Sequence, residues 1–284
     1  MANYNFQQLL NETYDGLSAR GFETSRADWL LEDISGMSRT QVAMNLNQDV
    51  PSNILDAYLN SRERMYEGEP VQYIAGFAEF YGRKFKVNQH VLIPRPETEE
   101  LVYQTLQMIQ NKQVVVCDIG TGTGAIAITL KKERPDLSVI ATDISEEALS
   151  IAKTNASTLE APIEFLKGKS LEPLINENIK VDVLVSNPPY ISNEEQKEMS
   201  DTVLNYEPHL ALFAEDDGLA IYKDIILNLE HVMLDNGIVI FEIGHLQGEL
   251  LKDFIENHLN VEDVKIIQDI NQNNRMIQFN WNNQ

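Results

Sequence analysis

A single cysteine, Cys117, leaves no partner for a disulfide framework in this chain of 284 residues. The setting expected is a reducing one, the cytoplasm. Basic residues are scarce: 22 Lys and Arg stand against 44 Asp and Glu, a formal net charge of −22. Gripping phosphates needs a basic face, so no direct nucleic-acid partner is expected. No apolar run is long enough to span a bilayer, and Met1-Ala2-Asn3-Tyr4-Asn5-Phe6 lacks the basic start and apolar core of a signal peptide. No membrane association is expected. The five histidines show no metal-ligand spacing, so no metal site is expected. Internal repeats and low-complexity stretches are also missing. Apolar residues are plentiful, at 43%, enough to fill the core of one large or two ordinary domains.

Residues 1–70 predict a small helical bundle. Phe6, Leu9, Leu10 and Leu17 recur at helical spacing before Gly21, and Ala27, Leu30, Leu31 and Ile34 do so before Gly36. Pro51 opens a further helix bearing Ile54, Leu55, Tyr58 and Leu59. The bundle holds no catalytic constellation, so recognition of a partner is the role expected of it. Residues 71–93 read as short β-prone pieces, beginning with Val71-Gln72-Tyr73-Ile74 and punctuated by Gly76, Gly82 and Asn88. They predict a β-hairpin linker. From 94 to 284, strands alternate with helices, and residues 191–214 form a polar insertion. Strands are predicted at 114–118, 138–143, 163–166, 181–186 and 237–243. Two more, near 261–268 and 275–281, follow one another with no helix between. The pattern is that of an α/β fold, a mainly parallel sheet with helices on both faces and an antiparallel hairpin at one edge.

Two motifs fall at predicted strand ends. Asp118-Ile119-Gly120-Thr121-Gly122-Thr123-Gly124 leaves the first parallel strand and opens a helix. Its glycines permit a tight turn and close approach of a ligand to the backbone at the helix N-terminus. The spacing is not that of a dinucleotide fingerprint, and no Lys-Ser/Thr follows as in a P-loop. Asp143 ends the next strand about twenty residues on, where an acid can hydrogen-bond both hydroxyls of a ribose. Asn187-Pro188-Pro189-Tyr190 ends a later strand. Two prolines cannot continue that strand, so the chain leaves it in a stiff turn. The turn offers a carboxamide, a proline carbonyl and an aromatic face, a set suited to a flat group that bears N–H donors. Open α/β sheets bind ligands at their carboxyl edge, where all three features would meet.

Together these residues resemble the class I S-adenosylmethionine-dependent methyltransferases, whose sheet has seven strands. Gly68-Glu69-Pro70, Tyr73-Ile74 with Gly76, Ile93-Pro94-Arg95-Pro96-Glu97-Thr98-Glu99, and Glu207-Pro208 leading to Leu212 extend the resemblance to the HemK/PrmC family. Its members are protein-(glutamine-N5) methyltransferases that act on peptide chain release factors. The resemblance covers nearly the whole chain and implies three parts: a bundle at 1–70 that recognises the release factor, a hairpin linker at 71–93, and the methyltransferase domain at 94–284. It implies S-adenosyl-L-methionine as cofactor, S-adenosyl-L-homocysteine as product, and the glutamine of the Gly-Gly-Gln motif of class 1 release factors as target. Carried onto this sequence, Gly120, Thr121, Gly122, Thr123 and Gly124 line the cofactor and Asp143 holds its ribose. Asn187, beside the cofactor, and the Pro188 carbonyl accept the two hydrogens of the substrate amide, with Pro189 and Tyr190 alongside. A monomer is expected.

The chain departs from the family pattern twice. Where members often carry an acid toward adenine, the run is Gly168-Lys169-Ser170, which leaves that contact open among Ser170 and the backbone. The usual Asp-x-x-Gly-x-x-Arg appears without its glycine, from Asp269 to Arg275. Two other functions compete with amide methylation. An adenine-N6 nucleic-acid methyltransferase would meet the same planar N–H geometry, but it needs a basic channel for a flipped base. A non-catalytic binding factor would have no need of both motifs intact.

Overall fold

The computed structural model describes residues 4–109, 113–192, 194–261 and 263–282. The chain packs as two units, Met1–Phe77 with Ser200–Tyr206, and Ala78–Met199 with Glu207–Gln284.

The first unit is helical, with helices Phe6–Ser18, Ser25–Ser35, Arg39–Met44, Ser52–Tyr66 and Val71–Ala75. Asn5 opens the first through a capping box: its side chain accepts from Gln8 N, and the Gln8 side chain returns to Asn5 N. Gly36 closes the second in the left-handed region, at φ 67°. The predicted apolar stripes meet in one core that includes Leu9, Leu17, Leu30, Leu31, Tyr58 and Met65. Val71–Ala75 is a helix and not the strand its β-prone residues predict. Pro70 fixes the entry to its first turn and Gly76, at φ 81°, ends it, so the flanking residues outweigh intrinsic propensity. Part of the polar insertion belongs here too. Helix Asp201–Tyr206 is held by Tyr206 Oη donating to the Glu67 carbonyl at 3.1 Å and Arg26 Nη2 donating to Thr202 Oγ1 at 3.2 Å.

β1 (Phe77–Phe80) and β2 (Arg83–Lys86) form the expected hairpin, which belongs to the second unit from Ala78 onward, and Phe80 and Phe85 are buried in that unit's core. Seven strands make the main sheet: β3 (Val115–Ile119), β4 (Ser138–Asp143), β5 (Glu164–Lys167), β6 (Val181–Ser186), β7 (Met233–Glu242), β8 (Lys265–Gln268) and β9 (Asn274–Trp281). Their order is β5-β4-β3-β6-β7-β9-β8, parallel from β5 through β7, with β9 antiparallel to both of its neighbours. The strands are rich in Val and Ile because helices cover both faces. Cys117 is fully buried in β3. The chain runs outward from β3 to β5 and then crosses back to β6, which makes β3 the switch point of the sheet and opens a crevice at its carboxyl end. The insertion after β6 closes at its base, where Ile191 N donates to the Leu212 carbonyl and Ala214 N to the Ile191 carbonyl, each at 3.0 Å.

The turn that lacks its glycine is kept by other means. The Asp269 carboxylate accepts from Asn271 N and Asn273 N at 2.9 Å and from Arg275 Nε at 3.2 Å. Gln272 stands where the family glycine would, and it adopts φ 64°, the left-handed conformation glycine favours. Among the described residues no helix is long and apolar enough to cross a membrane.

Candidate active site

The glycine loop after β3 is tied to the end of β4. Gly120 N and Thr121 N both donate to the Thr142 carbonyl at 2.9 Å. Gly122 N donates to Asp143 Oδ2 and Ser145 N to Asp143 Oδ1, each at 2.9 Å. Asp143 therefore shapes the loop as well as ending its strand, and burial raises its pKa above the usual carboxylate range. Asp118, wholly buried at the end of β3, accepts from Thr121 Oγ1 at 2.6 Å and Ala127 N at 3.3 Å. Burial pushes its carboxyl up to about 7. Ser186 Oγ, at the end of β6, donates to the Ile119 carbonyl at 2.6 Å and brings the third strand end alongside.

A cavity of about 350 Å³ lies over these ends. Gly120, Thr121, Gly122, Thr123 and Asp143 line one side, and Asn187, Pro188 and Pro189 another. Gly120 and Gly122 have φ of 72° and 55°, and a side chain built on either would meet nothing within 4 Å, so bare backbone faces the open space. Gly124 differs. At φ 80°, its added Cβ would stand 2.8 Å from Ile128 Cδ1 and 3.3 Å from Ala152 Cβ. It is absent from the cavity wall, and its smallness lets two helices approach.

Asn187 is half-buried. Its Nδ2 donates to Thr98 Oγ1 at 3.2 Å, and Thr98 Oγ1 donates to Glu242 Oε2 at 2.7 Å. With the amide nitrogen engaged, Oδ1 remains as an acceptor. Tyr190 does not line the cavity. Its ring packs on the core beneath, and its carbonyl accepts from Gln247 Nε2 at 2.8 Å. Burial and then the charge of Glu242 push its phenol up to about 12. Tyr190 thus anchors the turn from inside.

Lys169 and Ser170 both reach the wall of the cavity, and Ser170 Oγ is buried without a hydrogen-bond partner. Residues of the motifs that carry the resemblance, and others outside any motif, also shape this site. Glu207, almost wholly buried, accepts from Arg95 Nη2 at 2.6 Å and from Ile93 N at 3.2 Å. It joins the segment before Pro96 to the wall formed by Pro208, Leu210 and Phe213. Thr98, in the motif that runs from Ile93 to Glu99, reaches Glu242 across 144 positions, whereas Gln247, which reaches the Tyr190 carbonyl across 57, and Gly218 are marked by no local pattern.

The cavity suits S-adenosylmethionine. Open glycine backbone, a carboxylate at the end of β4, the apolar Ile144 beside it and an unpartnered Ser170 hydroxyl supply the contacts that a sulfonium amino acid, a ribose and an adenine require. If Asp143 holds the ribose, Asp143→Ala should weaken cofactor binding about 10- to 100-fold by calorimetry, since a charge-assisted hydrogen bond would be lost together with the Gly122 tether. Unchanged affinity would remove Asp143 from the cofactor site.

The sequence of residues 97–207 matches the family description "Methyltransferase small domain", and that of 8–76 matches "PrmC N-terminal domain". The chain is 48% identical to the release factor glutamine methyltransferase of Staphylococcus aureus, over 98% of this chain and 99% of that one. It is 41% identical to the protein of the same description from Enterococcus faecalis, over 95% and 96%. Among solved structures, a methyltransferase from Pyrococcus furiosus superimposes with a TM-score of 0.53 at 18% identity, covering 78% of this chain and 98% of that one, a likeness of fold. Identity of this order along nearly the full length, together with the glycine loop and the Asn-Pro-Pro-Tyr turn on one cavity, establishes that the chain belongs to the release factor glutamine methyltransferase family.

Proposed function

We propose that this protein moves a methyl group from S-adenosyl-L-methionine to the side-chain nitrogen of the glutamine in the Gly-Gly-Gln motif of class 1 peptide chain release factors, leaving S-adenosyl-L-homocysteine. The observation that carries the reading is the free Oδ1 of Asn187 on the same cavity as the Gly120–Gly122 backbone. The sulfonium supplies an electrophilic methyl group. The protein has to make an amide nitrogen into a nucleophile, although its lone pair is delocalised into the carbonyl. Asn187 Oδ1 and the Pro188 carbonyl accept its two hydrogens and direct the lone pair toward the methyl. Alignment of this kind contributes up to roughly 7–11 kcal/mol in well-oriented systems, and fixed dipoles around the developing charge add to it. With the cofactor held there, transfer would join its methyl carbon to the amide nitrogen, release the neutral thioether, and leave the nitrogen's extra proton to water. Gly120 to Thr123 and Asp143 hold the cofactor in this account. Residues 1–70 recognise the release factor, 71–93 link, and 94–284 carry out the chemistry. The reaction belongs in the cytoplasm, where its substrate works.

The test offers methyl-labelled cofactor with an unmodified release factor and, separately, with duplex DNA. Label on the release factor alone is expected. Label in DNA alone would favour adenine-N6 methylation instead.

A further inference from the structure

We propose that Thr98 and Glu242 are positioning residues that decide which end of the Asn187 carboxamide is offered to the substrate. The inference rests on the function proposed above and adds two residues to its machinery. Thr98 opens the helix Pro96–Met108 and Glu242 ends β7, and both are buried, with 5% and 2% of their surface exposed. Neither lies near Asn187 in sequence. The polarity of the chain follows from the donors. Thr98 has one hydroxyl proton, which goes to the Glu242 carboxylate at 2.7 Å, so its oxygen can only accept from Asn187 Nδ2, at 3.2 Å. The reverse orientation would set Oδ1 against the Thr98 oxygen, whose one proton is already given to Glu242. An ionised Glu242 therefore keeps the acceptor end of Asn187 free, and an acceptor is what an incoming NH2 group requires.

Protonation of Glu242 reverses the logic. A carboxylic acid can donate to the Thr98 oxygen, which frees the Thr98 hydroxyl proton for Asn187 Oδ1. The carboxamide then presents its own NH2 to the substrate NH2, donor against donor. Burial, followed in size by the opposing hydrogen bond from Thr98 and charge of Arg275, brings Glu242 up to about 7. The groups around it are Glu97 on the Thr98 helix, Arg275 on β9, Tyr190 after β6, and Tyr222, whose hydroxyl donates to the Glu242 backbone carbonyl at 2.6 Å.

Two readouts test this. In the free protein, the side-chain NH2 resonances of Asn187, assigned by their loss in Asn187→Asp, should shift with pH with a midpoint of about 7. That titration should vanish in Glu242→Gln. In methyl transfer with both substrates saturating, the wild-type kcat should fall on the acid side with the pKa that Glu242 has in the bound complex, and Glu242→Gln should lose this acid limb. Thr98→Val should lower kcat about 10- to 100-fold with cofactor affinity unchanged, and Thr98→Ser should restore most of it. Asn187 resonances indifferent to pH, or Thr98→Val with the wild-type kcat, would overturn the inference. A release factor left unmethylated by the wild-type protein would instead count against the function proposed above. The amide resonances need no substrate and would still decide this inference.

Discussion

Asn187→Ala should lower kcat by about 10²–10³-fold while S-adenosylmethionine binds almost as before. The size follows from mutations that remove a single preorganised polar group at a reacting centre. The selectivity follows from the site. The glycine loop is held by the Thr142 carbonyl and by Asp143, and none of those bonds passes through residue 187. Truncation at 187 removes the acceptor proposed for the substrate amide and leaves Thr98 still bonded to Glu242. The stiff Pro188-Pro189 turn stays in place, so neighbouring groups cannot swing in to substitute. Stopped-turnover assays beside calorimetry check the split. Equal losses in cofactor affinity and kcat would mean that Asn187 serves the fold of the pocket.

Gly218→Ala should cost about 3 kcal/mol or more of folding stability, read from urea denaturation. Two effects combine. Gly218 has φ 81°, a conformation that costs an L-residue roughly 1–2 kcal/mol. The new Cβ would also fall onto the Tyr190 carbonyl and within 2.5 Å of Gln247 Nε2. Overpacking of this kind typically adds about 1–3 kcal/mol. Gln247 cannot retreat cheaply. Its Nε2 donates to the Tyr190 and Asp217 carbonyls at 2.8 and 3.2 Å, and its Oε1 accepts from Gly244 N at 2.9 Å. One side-chain amide thus joins the turn after β6, the turn at Asp217 and the end of β7. Alanine at 218 should displace the carbonyl of Tyr190 and with it the Asn-Pro-Pro-Tyr turn, lowering kcat as well. A change in stability below about 1 kcal/mol would mean that the turn yields without cost.

Features set by short-range chemistry were legible in the sequence. Alternation of β-branched strands with helical stripes gave the sheet, and the unseparated last pair gave its antiparallel edge. The glycine loop, Asp143 and Asn187 were visible as strand-end motifs, and the structure brings them to one cavity. Other features depend on what lies across space. Val71, Tyr73 and Ile74 look like a strand until Pro70 and Gly76 are weighed as helix ends. Gly124 shares its motif with Gly120 and Gly122, yet only a neighbouring helix reveals that it serves packing. Tyr190 follows Asn187 closely, but the core beneath the turn claims its ring. Thr98 and Glu242 are separated by 144 positions, and no periodicity connects them. The missing glycine at 272 illustrates the converse. The motif lacks it, yet Asp269 and a left-handed Gln272 maintain the turn.

The most direct measurement is tandem mass spectrometry of a release factor whose glutamines carry a heavy isotope at the side-chain nitrogen, after reaction with this protein and cofactor. The account predicts one methyl group attached to the labelled nitrogen of the Gly-Gly-Gln glutamine. A methyl group on any other atom, or on another residue, would contradict it.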